Sequence, residues 1–412
     1  MREKTALLAC LTIVTGMVMS KFLITIGMFL LLLSAFISKD LKGDFSRLYS
    51  NKTALVSFGI FAVVLLSGIY SEDSPRFWGQ LRVMLPYLIL PLSFGLLPPF
   101  SKKQVNAILY FLFMLICAAS LWVLINYLMN FEFYQQHLSL SKAIATPQND
   151  HIRFSLLLSI SIFSAGKLIK DHFVFFWKWE RFLLMGLAGF LLIMLHLLSV
   201  RSGLLAFYAG LSVFALRMIL VKRSWILGSV VLVSIVLAPI IAFYTLPSFN
   251  QKYYLMKYNW EQFQAGNIGN LSDTQRLLSY QVALKVAAQN PWIGVGLGDL
   301  YREQDKIYKE QYPEQRTMQP HNQFISFYAG TGIIGLLVFL GCFFFPLFYR
   351  KAFKSVWLLL FYTIIFTSLL TENTLFISVG AAMHAFFLML FINVNDSENI
   401  KSDSSDREEI LI

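Results

Sequence analysis

Charge is scarce in this chain. Only 14% of its 412 residues are Asp, Glu, Lys or Arg, while 57% are hydrophobic. A soluble domain carries about a quarter charged residues and less than half apolar ones. A soluble enzyme of this composition would expose far too much apolar surface, and disorder is excluded by the same balance. Cysteine is nearly missing too. Cys10, Cys117 and Cys342 all lie within apolar runs, and no Cys-x-x-Cys pair occurs. That excludes a disulfide framework and a cysteine-based metal or redox centre. The histidines His137, His151, His172, His196, His321 and His384 show no His-x3-His spacing, so a metal site is unsupported. No internal repeat of fixed period is visible.

What is present is apolar sequence almost from end to end, with mean hydropathy +0.62. A bilayer core needs about 20 apolar residues per helix, so twelve helices would consume roughly 240 residues, near the apolar share. Long continuous runs, rather than ~10-residue alternating segments, argue against an outer-membrane barrel. The expected fold is therefore all-α, a polytopic transmembrane helical bundle of about twelve spans. The runs lie at about 5–20, 22–38, 53–70, 82–99, 105–128 and 151–166, then at about 182–199, 203–221, 225–245, 322–349, 355–371 and 375–393. Met1-Arg-Glu-Lys before an apolar stretch mimics a signal peptide. It lacks a small-residue cleavage site and leads into a second run, which reads as an uncleaved first span.

The net charge of +11 raises the question of a nucleic-acid partner. The basic residues are scattered between apolar runs, the pattern of topogenic loops rather than of a phosphate-tracking face. No nucleic acid is expected; the lipid bilayer is the expected surrounding. With the N-terminus in the cytoplasm, the inside loops hold Lys39, Lys42, Arg47 and Lys52; Lys102 and Lys103; Lys167, Lys170, Lys178 and Arg181; Lys222 and Arg223; and Arg350, Lys351 and Lys354. The outside loops hold only Lys21, Arg76, Arg82 and Lys142, with Arg153 and Arg201 at span edges. The expected division is spans 1–9 in residues 1–245, a large outside loop with short helices in 246–320, spans 10–12 in 321–394, and a polar, acidic, disordered cytoplasmic tail in 395–412. A helix is expected over Asp273–Asn290, with an acidic N-cap and a stop at Asn290-Pro291, and another around Leu300–Tyr312. A long ordered loop of this kind usually carries function.

Asp, Glu and Lys are nearly absent from span interiors, which argues against an ion-coupled transporter. The polar residues gather instead at the outside edge: Arg82, Asp150, His151, Arg153 and Arg201, then Arg276, His321, Asn322, Glu372 and Asn373. Arg201 sits in a very tight turn between two apolar runs. It suits a snorkelling anchor, or a phosphate holder that opposes the positive-inside bias and uses a planar fork of donors. Arg153 and Arg276 invite the same phosphate-holding reading, with a solvated helix position equally open for Arg276. His321 lies where the long loop re-enters the membrane. It suits an interfacial residue or a general base, since an unperturbed imidazole titrates near 6.5. Pro291-Trp-Ile-Gly-Val-Gly-Leu-Gly298 fails as a dinucleotide fingerprint because it follows a helix and faces outside, and reads as a tightly turning loop. Glu72-Asp73 reads as a solvated loop, with metal or acceptor binding as the other reading.

Together these residues resemble the O-antigen ligase family of bacterial inner-membrane glycosyltransferases, which includes O-antigen polymerases and protein O-oligosaccharyltransferases. The carrying motifs are His321-Asn322-x9-Gly332-x-x-Gly335, Arg201-x3-Leu205 within Ser199-Val-Arg-Ser-Gly203, and Arg276 followed by Asn290-Pro291-Trp-Ile-Gly294-Val-Gly296. The resemblance covers nearly the whole chain. It implies a GT-C-like helical fold in the inner membrane, with cytoplasmic termini and a periplasmic site. It also implies transfer of a glycan from undecaprenyl diphosphate to a sugar hydroxyl of lipid A–core, metal-independent, inverting and without a cofactor. His321 would then be the catalytic base. Arg201, Arg276 and Arg153 would hold the diphosphate, with Asn322, Gly332, Gly335 and Asp150 in support. No Asp-x-Asp metal motif lies on the outside face. A polymerase or protein transferase of the same superfamily, and a transporter or flippase, are the alternatives.

Overall fold

The computed structural model describes residues 2–134, 143–175, 177, 179–265 and 272–392. His137, Lys142, Lys178 and the expected tail 395–412 lie outside the described residues. The described residues are helical, with seventeen α-helices and no strand among them. The first seven are α1 (Arg2–Met19), α2 (Lys21–Phe36), α3 (Leu41–Ser50), α4 (Lys52–Ser67), α5 (Ser74–Met84), α6 (Pro86–Leu96) and α7 (Lys102–Met129). Four more precede the long loop: α8 (His151–Lys170), α9 (Glu180–Leu198), α10 (Arg201–Leu220) and α11 (Trp225–Thr245). The loop holds α12 (Pro247–Gln264), α13 (Ser272–Gln289) and α14 (Leu300–Gln311), and α15 (Gln323–Phe348), α16 (Val356–Thr371) and α17 (Ser378–Ile392) close the chain.

A helix lies on each of the twelve expected runs, but fewer qualify as spans. Seven helical segments among the described residues are long and apolar enough to cross a membrane, or eight if α2 and α3, bent by 117°, count as one. The shortfall has physical causes. α1 carries Arg2, Glu3 and Lys4 in its first turn, and Arg2 is tied to Asp44 at 2.8 Å. α4 and α16 have only 16 residues each, short of the ~20 that span a hydrocarbon core. α11 is the opposite case. It has mean hydropathy 2.7, yet only 11% of its apolar stretch is buried. A helix that is apolar all round and unburied is solvated by lipid.

The 246–320 segment is a packed body. Leu278, Val282 and Val286 on one face of α13, with Ala283 and Ala287, bury against Leu300, Ile307 and Tyr308 of α14 and Ala329 of α15. Both helices expected in this segment are present, while α12 carried no sequence expectation. α12 begins at Pro247, whose missing N–H costs nothing in a first turn.

The glycine-rich stretch after α13 does more than turn. It docks backbone to backbone against α15. Val295 and Gly296 N–H donate to the Ala329 and Gly330 carbonyls at 3.1 and 2.9 Å, and Ile333 N–H donates to Pro291 O at 2.8 Å. α15 is broken at Gly332, with φ 66° and ψ −174°, a conformation essentially restricted to glycine. A Cβ there would lie 2.2 Å from the Trp292 carbonyl. The opposite rim of this body is fastened by Asp299, whose carboxylate accepts from Glu72 and Asp73 N–H at 2.7 and 2.8 Å, while Arg302 pairs with Glu72 at 2.9 Å. Glu72-Asp73 is thus a docking point for the long loop through its backbone, while the Glu72 side chain stays exposed.

Candidate active site

Four helix ends and α13 converge on one polar cluster. α9 stops at Leu198. Ser199 takes a left-handed φ of 51° with its hydroxyl on His196 O at 2.6 Å, and α10 starts at Arg201. Gly203 then lets α10 press onto α8, where a Cβ would lie 2.1 Å from Ser155 Oγ. This fixes Arg201 at the head of α10. One of its terminal nitrogens bonds both oxygens of Asp273 at 2.6 Å, and Asn259 of α12 donates to the same carboxylate at 3.0 Å.

Asp273 and Arg276 lie three residues apart on α13, hence on one face. Arg276 Nη2 donates to Glu372 Oε1 at 2.6 Å, and His321 Nδ1 sits 2.9 Å from Glu372 Oε2. One carboxylate, 3% exposed, therefore joins a guanidinium to the imidazole. With Nδ1–H donating to Glu372, the lone pair of His321 lies on Nε2. Tyr280, one turn beyond Arg276, donates to His321 O at 2.8 Å.

The imidazole and its carboxylate belong to loops that are stapled together. Asn322 caps α15 by accepting from Phe324 and Ile325 N–H, and its amide donates to Leu370 O at 3.0 Å near the end of α16. Asn373 donates to Pro320 O and accepts from Ser326 Oγ at 2.7 Å, while Gln323 accepts from Leu375 N–H at 2.8 Å. An asparagine after the histidine thus caps one helix and ties it to the other. Gly332 and Gly335 lie deeper in α15. The first admits the docked loop, and the second lies beneath Thr331 of its own helix.

Burial pushes the Glu372 carboxyl up, but the His321 hydrogen bond and the Arg276 charge more than offset it and hold it below the ordinary carboxylate range. Asp273 behaves alike: burial raises it, Arg201 and Asn259 lower it further, and the net direction is down. Asp150 caps α8, accepting from Arg153 N–H at 3.1 Å and pairing with the Arg153 guanidinium at 3.4 Å. Arg153 is 5% exposed, and its charge bears on Glu372. The Arg201 and Arg276 side chains are 36% and 31% exposed. These two use one terminal nitrogen each on a carboxylate, leaving donors of a five-donor fork directed elsewhere.

The polar residues singled out at the outside edge therefore meet, Arg82 excepted, and Asp273 and Lys252 complete the cluster. Glu372 was visible only as an edge residue, and Asp273 only as an expected N-cap, whereas the helix begins at Ser272 and holds Asp273 within its first turn. Lys252 of α12, whose ammonium burial and the Arg201 charge depress, gave no sequence signal. Arg82 is exposed and is joined to the cluster by no ion pair or hydrogen bond. Among the described residues, no group of three or more His, Cys, Asp and Glu side chains is placed to hold a metal ion.

A buried carboxylate that orients an imidazole and a cation, beside a second half-open guanidinium, can accept a proton at Nε2 and stabilise negative charge a few ångströms away. No curated protein matches the chain. The family model described as O-Antigen ligase matches residues 186–340, a stretch that takes in Arg201, Asp273, Arg276, His321 and Gly335 but stops short of Glu372. Over residues 186–340, the chain carries an O-antigen ligase domain.

Proposed function

We propose that the chain is a glycosyltransferase of the periplasmic face of the bacterial inner membrane. It moves a glycan, an O-antigen, from undecaprenyl diphosphate to a sugar hydroxyl of lipid A–core. The observation that carries this reading is the Glu372 carboxylate shared by Arg276 and His321. In the proposed step, His321 Nε2 takes the proton of the acceptor hydroxyl as its oxygen bonds to the anomeric carbon. The bond from that carbon to the diphosphate oxygen breaks on the opposite side, so the anomeric centre inverts. Undecaprenyl diphosphate leaves with the electron pair. Arg201 and Arg276 receive its negative charge, and buried Arg153 adds positive potential from beneath. Glu372 holds the imidazole in the tautomer that accepts the proton and balances the imidazolium that forms, as the acid of a hydrolase triad does.

The reading includes twelve spans with both termini cytoplasmic, in which the short helices α4, α16 and α17 cross as partners of longer ones. It places the 246–320 body in the periplasm, where flipped lipid-linked glycans are found. The guanidiniums supply the positive charge that metal-dependent transferases draw from an ion.

The test is transfer by the purified full chain, given a polyprenyl-diphosphate glycan and delipidated core acceptor, with and without chelator. Product that survives chelation and disappears in Arg201→Ala and His321→Ala is expected. Turnover abolished by chelator would overturn the metal-free step. Elongation of the donor glycan in place of core glycosylation would make the chain a polymerase. Passage of the glycan across vesicles without bond formation would make it a transporter.

A further inference from the structure

Four helices that present the His321 cluster at one end also frame a second site at the other. α8 runs from His151 to Lys170, α10 from Arg201 to Leu220, α15 from beside His321 to Phe348, and α16 from Val356 to beside Glu372. At ~1.5 Å per residue their far ends lie roughly 24–30 Å or more from the cluster. A cavity of about 1300 Å³ opens there. Small-molecule sites are typically about 300–1,000 Å³.

Its charge is one-sided. Among the described residues, eight Lys and Arg side chains line it against a single carboxylate, Asp171. That carboxylate is already shared, by Lys102 at 3.0 Å and by Lys167. Lys170 lies 5.9 Å from the Trp357 ring. Arg217 donates to the carbonyls of Phe353 and Lys354, which draws the connection between α15 and α16 over the cavity. In that connection Arg350 and Lys351 are successive residues with φ of 49° and 57°, the left-handed region that side-chain-bearing residues seldom occupy. Both still line the cavity, as do Lys222 and Lys354. A mouth lined by several lysines creates a positive potential that favours an anion.

The walls are apolar. Phe163, Phe207, Leu211, Phe214, Trp357 and Phe391 lie behind the basic rim. A second cavity of about 20 Å³, room for roughly one water, shares Phe163, Lys167, Trp357 and Phe391 with the first and is lined also by Ile160, Leu360 and Ile364. A basic lining beside the aromatic walls of one cavity of about 1300 Å³ matches an amphiphile better than a soluble anion.

We infer that this cavity binds a phosphate-bearing anionic lipid, its headgroup among Lys222, Lys351 and Lys354 and the start of an acyl chain against Phe163, Phe207, Leu211 and Trp357. Basic pockets between transmembrane helices recognise such headgroups by charge, and each Lys near the headgroup changes binding several-fold. The inference is independent of the glycan-transfer reading, and its test reads lipid contact rather than transfer.

The full chain is reconstituted with phosphatidylglycerol brominated on its acyl chains, or with brominated phosphatidylcholine, and tryptophan quenching is followed. A Trp357→Phe variant identifies the Trp357 share of the signal. Preferential quenching of Trp357 by phosphatidylglycerol is expected. The triple variant Lys222→Gln, Lys351→Gln, Lys354→Gln should need roughly 100-fold more of it. Should the triple variant not be monodisperse, Lys351→Gln alone is read, with an expected shift of about fivefold. Equal quenching by phosphatidylcholine, or no shift in the variants, overturns the proposal. Complete displacement of the lipid by inorganic phosphate would mark a soluble-anion site and overturn it as well. The chain's own end, residues 393–412, carries six acidic residues. Quenching seen only in a chain ending at Ile392 would assign the cavity to that segment instead.

Discussion

The two ends of α8, α10, α15 and α16 use positive charge in opposite ways. At the His321 end each guanidinium has its own carboxylate: Arg153 with Asp150, Arg201 with Asp273, and Arg276 with Glu372. At the other end, among the described residues, eight basic side chains line a cavity with one carboxylate, which Lys102 and Lys167 share, so positive charge is in excess. Matched charges fix geometry, because a buried ion pair is held only where its partners are well placed. Unmatched charges fix nothing by themselves and create a potential that draws an anion. The first arrangement suits bond making, and the second suits binding with little demand on orientation.

The comparison can be broken most severely where the backbone sets it. Gly332→Val should nearly abolish folded protein, since the side chain would enter the Trp292 carbonyl at a φ that valine does not tolerate. Yield of monodisperse protein reads this. Gly335→Ala meets its nearest obstruction in the Thr331 side chain of its own turn and should cost far less.

At the matched end, losing one group should disturb its partners. His321→Ala is expected to lower transfer by roughly 10²–10⁴-fold, the usual contribution of general acid–base help. Arg276→Ala and Arg201→Ala should each cost roughly 10²–10³-fold in kcat, as removal of a preorganised charge-stabilising donor does. Asp273→Asn keeps both guanidiniums but loosens Arg201, and should raise donor KM by about tenfold with a smaller change in kcat.

The carboxylates of the matched end set a pH dependence. Glu372 and Asp273 are both held below the ordinary carboxylate value of about 4 in the folded chain. A lowered folded value means that their stabilisation is complete above the unfolded value and is lost as pH falls through the folded one. Thermal midpoints should be flat from about pH 7 to 5 and fall below about pH 4. Glu372→Gln should show a shallower fall. At the unmatched end, single neutralisations such as Lys351→Gln should each weaken lipid retention only about fivefold, and additively.

Much of the matched end was legible in the sequence because its residues stand out against apolar surroundings. Arg201 between two apolar runs implied a sharp turn, and the turn at Ser199 delivers it. The helix over Asp273–Asn290 followed from its cap and its proline stop. Glu372 was harder to read. It follows an apolar run by one residue, and only the Asn322 and Asn373 staples bring it to His321. Lys252 and Asn259 sit on α12, whose mixed aromatic and polar sequence carries no clear period. The glycines of 291–298 suggested a turn, whereas their purpose is close backbone approach to a broken helix 35 residues later, a non-local fact. The far cavity was hidden for a different reason. Lys222, Lys351 and Lys354 have the spacing of topogenic residues, and sequence does not show whether such lysines face water or a shared cavity. The span count also depended on neighbours, since helices as short as α4 and α16 are apolar enough but not long enough to be identified by length.

The central claim is that Glu372 makes His321 and Arg276 a single reactive unit. A double-mutant cycle in the purified transfer assay tests it most directly, with His321→Ala, Glu372→Gln and the two combined. Groups that act as a unit are strongly non-additive. The double variant should therefore be little slower than His321→Ala alone. If the two losses multiply, or if His321→Ala transfers glycan at the rate of the unaltered chain, the shared carboxylate does not organise the chemistry and the account fails.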